Sequence, residues 1–528
     1  MNGAENLLQT LVAAGVEVCF ANPGTSEMHL VAAIGKTAAM RPVLCLFEGV
    51  ASGAADGYAR MTDRPALTLL HVGSGFANSM ANQHNARRAC VPLVNMVGDH
   101  ATYHLQYDAP LTSDVPGHAS LVSDYVRVSE SADDLAQAGA DAVQASLRGA
   151  GRVVTFIAPA DHAWEEAVEA VAPREPAGLE TADGDAVEAA VEALQNGRRT
   201  VLFLGGRALR EDALLAAGRI AAHTGARLFC EVFPTRLQRG AGRAAVQRLP
   251  YFAESAIEAL AEFEQLVLVG APAPVAFFAY PGKPSWLAPA GCEILTLATV
   301  DQDAAAALDA VAGRLGAVAA PALAEAAPEL PPPSGELNPV AIGQSLTRLL
   351  PTDAVVVDEA ATCGLGIFPT TARAARHDWL TLTGGAIGIG LPLALGAAIA
   401  CPERKVVALQ ADGSAMYTLQ ALWSMARERT DVVIVIMNNR SYAILNIELA
   451  RVGAGRPTPK TLSMLDLSRP DLDFVALARG MGVPATRATT AEEFDLQLAE
   501  AMGQPGPRLI EAMVVQRMPV QQQAKDPS

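Results

Sequence analysis

A carboxylate and a side-chain amide end two apolar runs in residues 405–439, KVVALQADGSAMYTLQALWSMARERTDVVIVIMNN. The segment reads as strand, turn, helix, strand. VVAL runs into Ala411-Asp412-Gly413-Ser414, residues 417–429 carry Leu419, Leu422, Trp423 and Ala426 at helical spacing, and VVIVIM runs into Asn438-Asn439. If the two strands are parallel neighbours, Asp412 and Asn439 emerge together at a carboxyl sheet edge, where open α/β sheets bind ligands. Both offer hard oxygen donors of the kind Mg²⁺ accepts beside phosphate oxygens and water. Gly413 lets the backbone come close, and Ser414 stands at a helix start whose free N–H groups favour an anion. A lone Asp-Gly-Ser is as readily a helix-capping turn. The Asn pair, its second member 27 residues after Asp412, turns the reading towards a cation held against a diphosphate.

A second acid, Glu48, follows the apolar run VLCLF and opens the small-residue stretch EGVASGAADGYAR. A carboxyl placed there is held from water, which raises its pKa. The competing structural readings are a helix-start acid or an ion pair with Arg60 or Arg64. His71 ends another apolar run before Gly73-Ser74-Gly75, and Phe20-Ala21-Asn22-Pro23-Gly24-Thr25-Ser26-Glu27 reads as a strand-end turn entering a capped helix. A satisfied core histidine and an ordinary cap are the plain alternatives at those two places.

The Asp-Gly … Asn-Asn spacing resembles the cofactor motif of the thiamine-diphosphate-dependent decarboxylases and acetolactate synthases. The resemblance implies metal ligation by Asp412, Asn439 and the carbonyl of Ser441, although Ala411 stands where the family usually has glycine. Glu48, Ala51, Ala54, Ala55, Gly57, Tyr58, Ala59 and Arg60 match the family's activating-glutamate segment position by position. In that family the Glu hydrogen-bonds the aminopyrimidine and favours the imino tautomer that deprotonates the thiazolium carbon. The resulting nucleophile attacks a 2-oxo carbonyl, and the ring takes up the electrons released with CO₂.

By the same resemblance, Gly385 would present its carbonyl to the aminopyrimidine and Ile387 would wedge beneath the cofactor. Gly413, Ser414 and Tyr442 would flank its diphosphate. Thr25 would meet a substrate carboxylate, as in benzoylformate decarboxylases, with Ser26 beside it in the pocket, and His71 would transfer protons. Ile444, Leu445 and Glu448 would line the pocket, with Glu448 disfavouring a large aromatic substrate unless it is simply a surface charge. The second active-site histidine of those decarboxylases is not found. The comparable stretch is Val275-Ala276-Phe277-Phe278-Ala279-Tyr280-Pro281-Gly282. The flavin-contacting arginine motif of the acetolactate synthases is likewise not visible, so FAD is not expected. The implied activity is a 2-oxo acid decarboxylase or lyase. An acetolactate-synthase-like carboligase and a cofactor-binding paralogue without turnover are the alternatives. Family cofactors lie between subunits, which implies a homodimer or homotetramer.

The elements that must position these residues follow from alternating apolar and helix-period segments, the pattern of βαβ units around mostly parallel sheets. Buried strands are expected over 43–47, 66–71, 200–204, 227–230, 265–269, 293–297, 354–357, 405–409 and 432–437. Breaks at VAPREPAGLETADGD and ELPPPSGELNP divide the 528 residues into three open-sheet α/β domains. These are a pyrimidine-binding domain at 1–175, a Rossmann-like middle domain at 186–328 and a diphosphate- and magnesium-binding domain at 336–528. Net charge of −17 argues against a nucleic-acid partner. Seven scattered cysteines without CxxC spacing argue against zinc ribbons and disulfide scaffolds. Residues 380–401 carry no charge, but their five glycines and Pro392 favour a buried turn and core helix over a membrane span. No signal peptide is evident, and a cytoplasmic location is expected.

Overall fold

The computed structural model describes residues 1–174 and 177–515. Three open α/β sheets follow one another along the chain. The first holds β1 (Val18–Asn22), β2 (Arg41–Leu44), β3 (Ala66–His71), β4 (Leu93–Asp99), β5 (Tyr125–Val128) and β6 (Val153–Pro159), in the order β2-β1-β3-β4-β6-β5. The second orders β7 (Thr200–Leu204), β8 (Arg227–Cys230), β10 (Gln247–Arg248), β11 (Gln265–Val269) and β12 (Glu293–Ala298) as β10-β8-β7-β11-β12. The third contains β13 (Ala354–Glu359), β14 (His377–Thr381), β15 (Val406–Ala411), β16 (Val432–Asn438), β17 (Ala485–Ala488) and β18 (Arg508–Met513). A seventh strand, β9 (Leu237–Arg239), leaves the middle of the chain to pair antiparallel with β14 at that sheet's edge. The other named pairings are parallel, as buried runs of Val, Ile and Leu demand.

Each sheet has a central reversal of strand order: between β1 and β3, between β7 and β11, and between β13 and β15. Such reversals open a crevice at the carboxyl ends of the strands. His71 ends β3 at the first crevice, and Glu359 and Asp412 stand at the third. In the middle sheet, Gly205 packs so closely that a Cβ there would sit 2.7 Å from both the Gly270 carbonyl and the Glu231 carboxylate.

Two expectations shift. The run at 43–47 pairs only over Arg41–Leu44, because Cys45 to Phe47 turn the chain into the helix that Glu48 begins. The helix expected over 417–429 is confined to Ala421–Glu428. Tyr417 and Thr418 are instead drawn against Gly388, whose carbonyl accepts the Thr418 hydroxyl at 2.7 Å. The charge-free stretch resolves into the end of β14, a glycine turn and an 11-residue helix, Gly390–Ala400. Among the described residues no helix is long and apolar enough to cross a membrane.

Helix α1 (Glu48–Thr62) and helix α2 (Val72–Ala89) belong to the first sheet's layer, and helix α3 (Gly390–Ala400) to the third's. α1 lies directly on α3. Methyl groups at Gly57 and Gly396 would come within 2.2 Å of the Leu393 carbonyl and 1.9 Å of the Ala54 carbonyl. The small residues of both helices therefore let two backbones touch. Beside this contact Arg60 forms a forked ion pair with Asp56, at 2.8 and 2.7 Å, wholly shielded from water. Its remaining donors reach the Thr381 carbonyl at 2.7 Å, the Thr235 carbonyl at 3.2 Å and the Thr383 hydroxyl at 3.1 Å. One guanidinium thus ties all three thirds of the chain together. Burial pushes Asp56 upward and Arg60 opposes the shift. Arg60→Met leaves that carboxylate unpaired, and a loss of about 3–5 kcal/mol is expected in the urea midpoint; an unchanged midpoint would remove Arg60 from this role.

Candidate functional site

The parallel register of β15 and β16, with Ala411 opposite Met437, brings Asp412 and Asn439 to one sheet edge. Asp412 is 2% exposed. One of its oxygens accepts the Gly413 N–H at 2.7 Å and the other the Arg440 N–H at 2.7 Å. Burial raises its pKa, while backbone donors from Gly413, Arg440, Asn439 and Ser441 oppose the shift. Arg440 sits at φ 58°, a left-handed bend that turns the chain back over the carboxylate. The Asn439 side-chain oxygen accepts the Ser441 N–H at 3.0 Å. Asn438 holds the bend from below, donating to Glu511 at 2.7 Å and accepting from Arg440 at 3.1 Å. Tyr442 lies across Gly413 so closely that a Cβ there would be 2.4 Å from its ring. The donor set is one carboxylate, one amide oxygen and a nearby main-chain carbonyl. Such a set fits a hard divalent cation that keeps places for phosphate and water.

Next to it is the turn 384–390. Beneath the turn, Glu359 is 2% exposed and accepts the Gly388 and Gly390 N–H groups at 2.5 and 2.6 Å. Gln410, its neighbour across the β13–β15 register, donates to Glu359 at 3.0 Å and contacts the Ser414 hydroxyl at 2.6 Å. Burial pushes Glu359 up to about 7 against those donors. Gly385 has φ 74°, and the Phe277 ring occupies its open side, 2.3 Å from where a Cβ would stand. Ile387 is half-buried.

In the first sheet, Glu48 begins α1 at 7% exposure and accepts from the Asn78 amide at 3.0 Å. The ion pairs considered for it go elsewhere: Arg60 to Asp56, and Arg64 to Glu17. His71 Nδ1 lies 2.9 and 3.1 Å from the two oxygens of Glu27, and 3.3 Å from the Ser26 hydroxyl. Glu27 is fully buried and also accepts from the Gly24 N–H and the Ser26 hydroxyl, each at 2.6 Å. With Nδ1 engaged by Glu27, only the other ring nitrogen of His71 is left to face a further partner. Gly24 and Gly98 leave the room, since a Cβ at either would stand 2.3 Å from His71 Nδ1 or 2.0 Å from Glu27. Val72, at φ 43°, is a β-branched residue held in left-handed backbone directly after the histidine, a conformation kept only where surroundings enforce it. Thr25 is exposed and Ser26 half-buried, in the short turn Thr25–Glu27.

The helix after the metal-side bend, α4 (Ala443–Arg451), carries half-buried Ile444, exposed Leu445 and Glu448. Glu448 is not a surface charge. Its side chain is 15% exposed, with Arg451 at 3.6 Å. Arg451 stacks over Phe252 and Tyr280 at 4.6 and 4.9 Å and pairs with Glu254 at 2.6 Å, which holds Glu254 down at about 2. The stretch 275–282, identified by its missing histidine, therefore arrives between Gly385 and Glu448 and brings aromatic rings. Phe277 packs on Phe278, Phe233 and Tyr251.

Hydrogen bonds of Glu48 and His71 run to the first third, and those of Asp412 to the backbone of residues 413 and 439–441. The turn 384–390 is bonded to both sides, to α2 of the first third through Asn82 and Asn85 and to the third sheet through Glu359. Sequence reasoning missed Glu27, Glu359 and Phe277. Glu27 and Glu359 each end or follow a strand, a position visible in sequence, but nothing local shows that they are buried.

Two family models match. Residues 1–119 fit "Thiamine pyrophosphate enzyme, N-terminal TPP binding domain", and residues 367–512 fit "Thiamine pyrophosphate enzyme, C-terminal TPP binding domain". The chain is 53% identical to "Putative acetolactate synthase large subunit IlvX" of Mycobacterium tuberculosis, over 97% of this chain and 99% of that protein. It is 30% identical to benzoylformate decarboxylase of Pseudomonas aeruginosa, over 94% and 96% respectively. Among solved structures, the thiamine diphosphate-dependent 4-hydroxybenzoylformate decarboxylase of Rhodococcus jostii superposes with a TM-score of 0.85 at 26% identity, covering 97% of this chain and 99% of that one.

Glu359→Leu leaves the Gly388 and Gly390 amides buried without acceptors, each worth about 1–3 kcal/mol. Faster hydrogen exchange at those two amides and a lower melting temperature are expected; exchange as slow as in the parent would show that Glu359 does not hold the turn.

Proposed function

The chain belongs to the thiamine pyrophosphate enzymes, and on that premise we propose that it is a magnesium-dependent 2-oxo acid decarboxylase. The observation that supports this most is the shared edge of β15 and β16, where Asp412 and Asn439 stand side by side next to Gly413. Asp412, the Asn439 amide oxygen and the Ser441 carbonyl would hold Mg²⁺, with Gly413 and Ser414 at the diphosphate and Tyr442 over it. The Gly385 carbonyl and the Ile387 side chain would support the pyrimidine end. When bound, the cofactor supplies a carbon nucleophile and an electron sink for the bond next to a 2-oxo group.

The remaining steps fall to the chain's own groups. Glu48, shielded from water and steadied by Asn78, would hold a proton at the pyrimidine. Thr25 would orient a substrate carboxylate, with Ser26 lining the pocket beside it. His71, with Nδ1 engaged by Glu27, would accept or return a proton through its second nitrogen. Because Glu48 and Asp412 draw their partners from opposite ends of the chain, two copies are proposed to complete each site, as a homodimer or a pair of dimers.

A second reading is carboligation. Phe277 and Phe278 stand where the related decarboxylases would need a second histidine, so the carbanion has one proton donor fewer on this side and more chance to meet a second carbonyl. The 53% identical relative carries an acetolactate synthase name. Incubation with Mg²⁺, thiamine diphosphate and a panel of 2-oxo acids separates the two: CO₂ with aldehyde supports decarboxylation, and hydroxyketone or acetohydroxyacid supports ligation. CO₂ release from none of the acids would overturn both.

Glu48→Gln is expected to cut turnover by about 10²–10⁴-fold, the usual worth of a positioned proton-transfer group, while cofactor affinity stays close to the parent's. Undiminished turnover would refute its role. Asp412→Ala is expected to weaken binding of the magnesium–cofactor pair by at least about 10–100-fold, and an unaltered calorimetric isotherm would remove the metal assignment.

A further inference from the structure

The turn 384–390 has an unusual supply of partners. Gly385 and Gly388 both lie at positive φ, 74° and 97°, so neighbouring N–H and C=O groups point away from any regular ladder and need acceptors and donors from elsewhere. Glu359 satisfies the Gly388 and Gly390 amides from the third sheet. The other half of the turn is satisfied by α2, a helix of the first third.

Three asparagines, Asn78, Asn82 and Asn85, stand on one face of α2 at the spacing that stacks side chains along a helix. Asn85 is fully buried. Its side-chain oxygen accepts the Gly384 and Ala386 N–H groups at 3.1 and 3.2 Å, and its amide donates to the Ala386 carbonyl at 2.8 Å. Its second amide hydrogen goes to the Asn82 side chain at 3.1 Å, and its main-chain carbonyl accepts the Thr383 hydroxyl at 2.7 Å. Both donors and both acceptor directions of the side chain are thereby used. Asn82, 3% exposed, donates to the Gly49 carbonyl at 2.7 Å and reaches the Gly388 carbonyl at 3.4 Å. Asn78 donates to Glu48. A single rigid face, about 10 Å long from Asn78 to Asn85 at 1.5 Å per residue, therefore contacts the carboxyl of Glu48, the first turn of its helix and the turn that carries Gly385 and Ile387.

We propose that Asn85 is a positioning residue for the pyrimidine end of the cofactor site: its amide acts as a template that sets the Gly385 carbonyl and the Ile387 side chain, and Asn82 registers that template against the helix of Glu48. The inference rests on the reading of Gly385 and Ile387 as cofactor contacts. Its consequence is separable from the metal side, because the bonds of Asp412 go to the backbone of residues 413 and 439–441 and owe nothing to α2. Asparagine is required rather than a similar shape. Aspartate keeps the acceptors but loses both donors and sets a negative charge against the Ala386 carbonyl.

The full-length chain with Asn85→Asp is titrated by calorimetry with magnesium thiamine diphosphate and, separately, with magnesium pyrophosphate. The expected result is a loss of at least about tenfold for thiamine diphosphate, in keeping with several buried hydrogen bonds broken, with pyrophosphate affinity unchanged. Thr383→Val, which removes the hydroxyl bond to the Asn85 carbonyl together with one of the acceptors of Arg60, should show a smaller loss in the same sense, and it serves if the aspartate variant does not fold. Equal weakening towards both ligands would mean general loosening and overturn the proposal, as would no weakening towards either. Failure of the parent chain itself to bind thiamine diphosphate would overturn the functional reading and this inference with it; binding by the parent and equally by both variants would overturn the inference alone.

Discussion

Everything near the site depends on two helices touching backbone to backbone. α1 begins at Glu48 and α3 begins at Gly390, the end of the glycine turn, so their crossing sets the first third against the third sheet. Gly53 against Pro392, Gly57 against Leu393 and Gly396 against Ala54 leave no room for a methyl group. Interiors packed this densely transmit position rather than absorb it. A small displacement of α1 would carry Glu48, and through Asn82 the turn, away from their places.

The second organising feature is how the buried acids are satisfied. Each receives donors from a different source. Asp412 and Glu359 are held mainly by backbone N–H groups, Glu27 by a histidine, a hydroxyl and a backbone amide, and Glu48 by an asparagine amide. Asp56 alone among these faces a full positive charge, in Arg60. Neutral donors stabilise an anion less than a paired cation does, and burial moves the pKa upward at Glu359 and Asp412, as it also does at Asp56 against the opposing pull of Arg60. The ion pair sits at the structural junction, and the neutral-donor acids gather at the sheet edges. A carboxyl that must exchange a proton or share its charge with a metal is better served by neutral donors.

The middle third contributes more than a spacer. β9 completes the third sheet, Thr235 takes a bond from Arg60, and residues 277–280 bring aromatic rings against Gly385 and Arg451. Glu448 is thereby enclosed by Tyr280, Arg451 and the edge of the aromatic cluster rather than by solvent, so α4 meets the middle third with a charged pair set against aromatic rings.

Local chemistry was legible from the residues alone wherever it is contiguous. The apolar runs ending in Asp412 and Asn439, and the apolar run that turns into Glu48, identified strand ends and the α/β plan of three open sheets, because parallel buried strands carry an unmistakable composition. The limits of strand 41–44 and of helix 421–428 were not legible, since tertiary contacts of Phe47 and Thr418 overrode local preference. Glu27, Glu359, Asn85 and Phe277 were equally silent: an acid, an amide or a ring in sequence does not show what will face it. Their roles arise where segments hundreds of residues apart meet, as Asn85 meets Ala386 and Phe277 meets Gly385. Such pairings are decided by packing of whole layers, a property of the folded chain and not of any stretch of it.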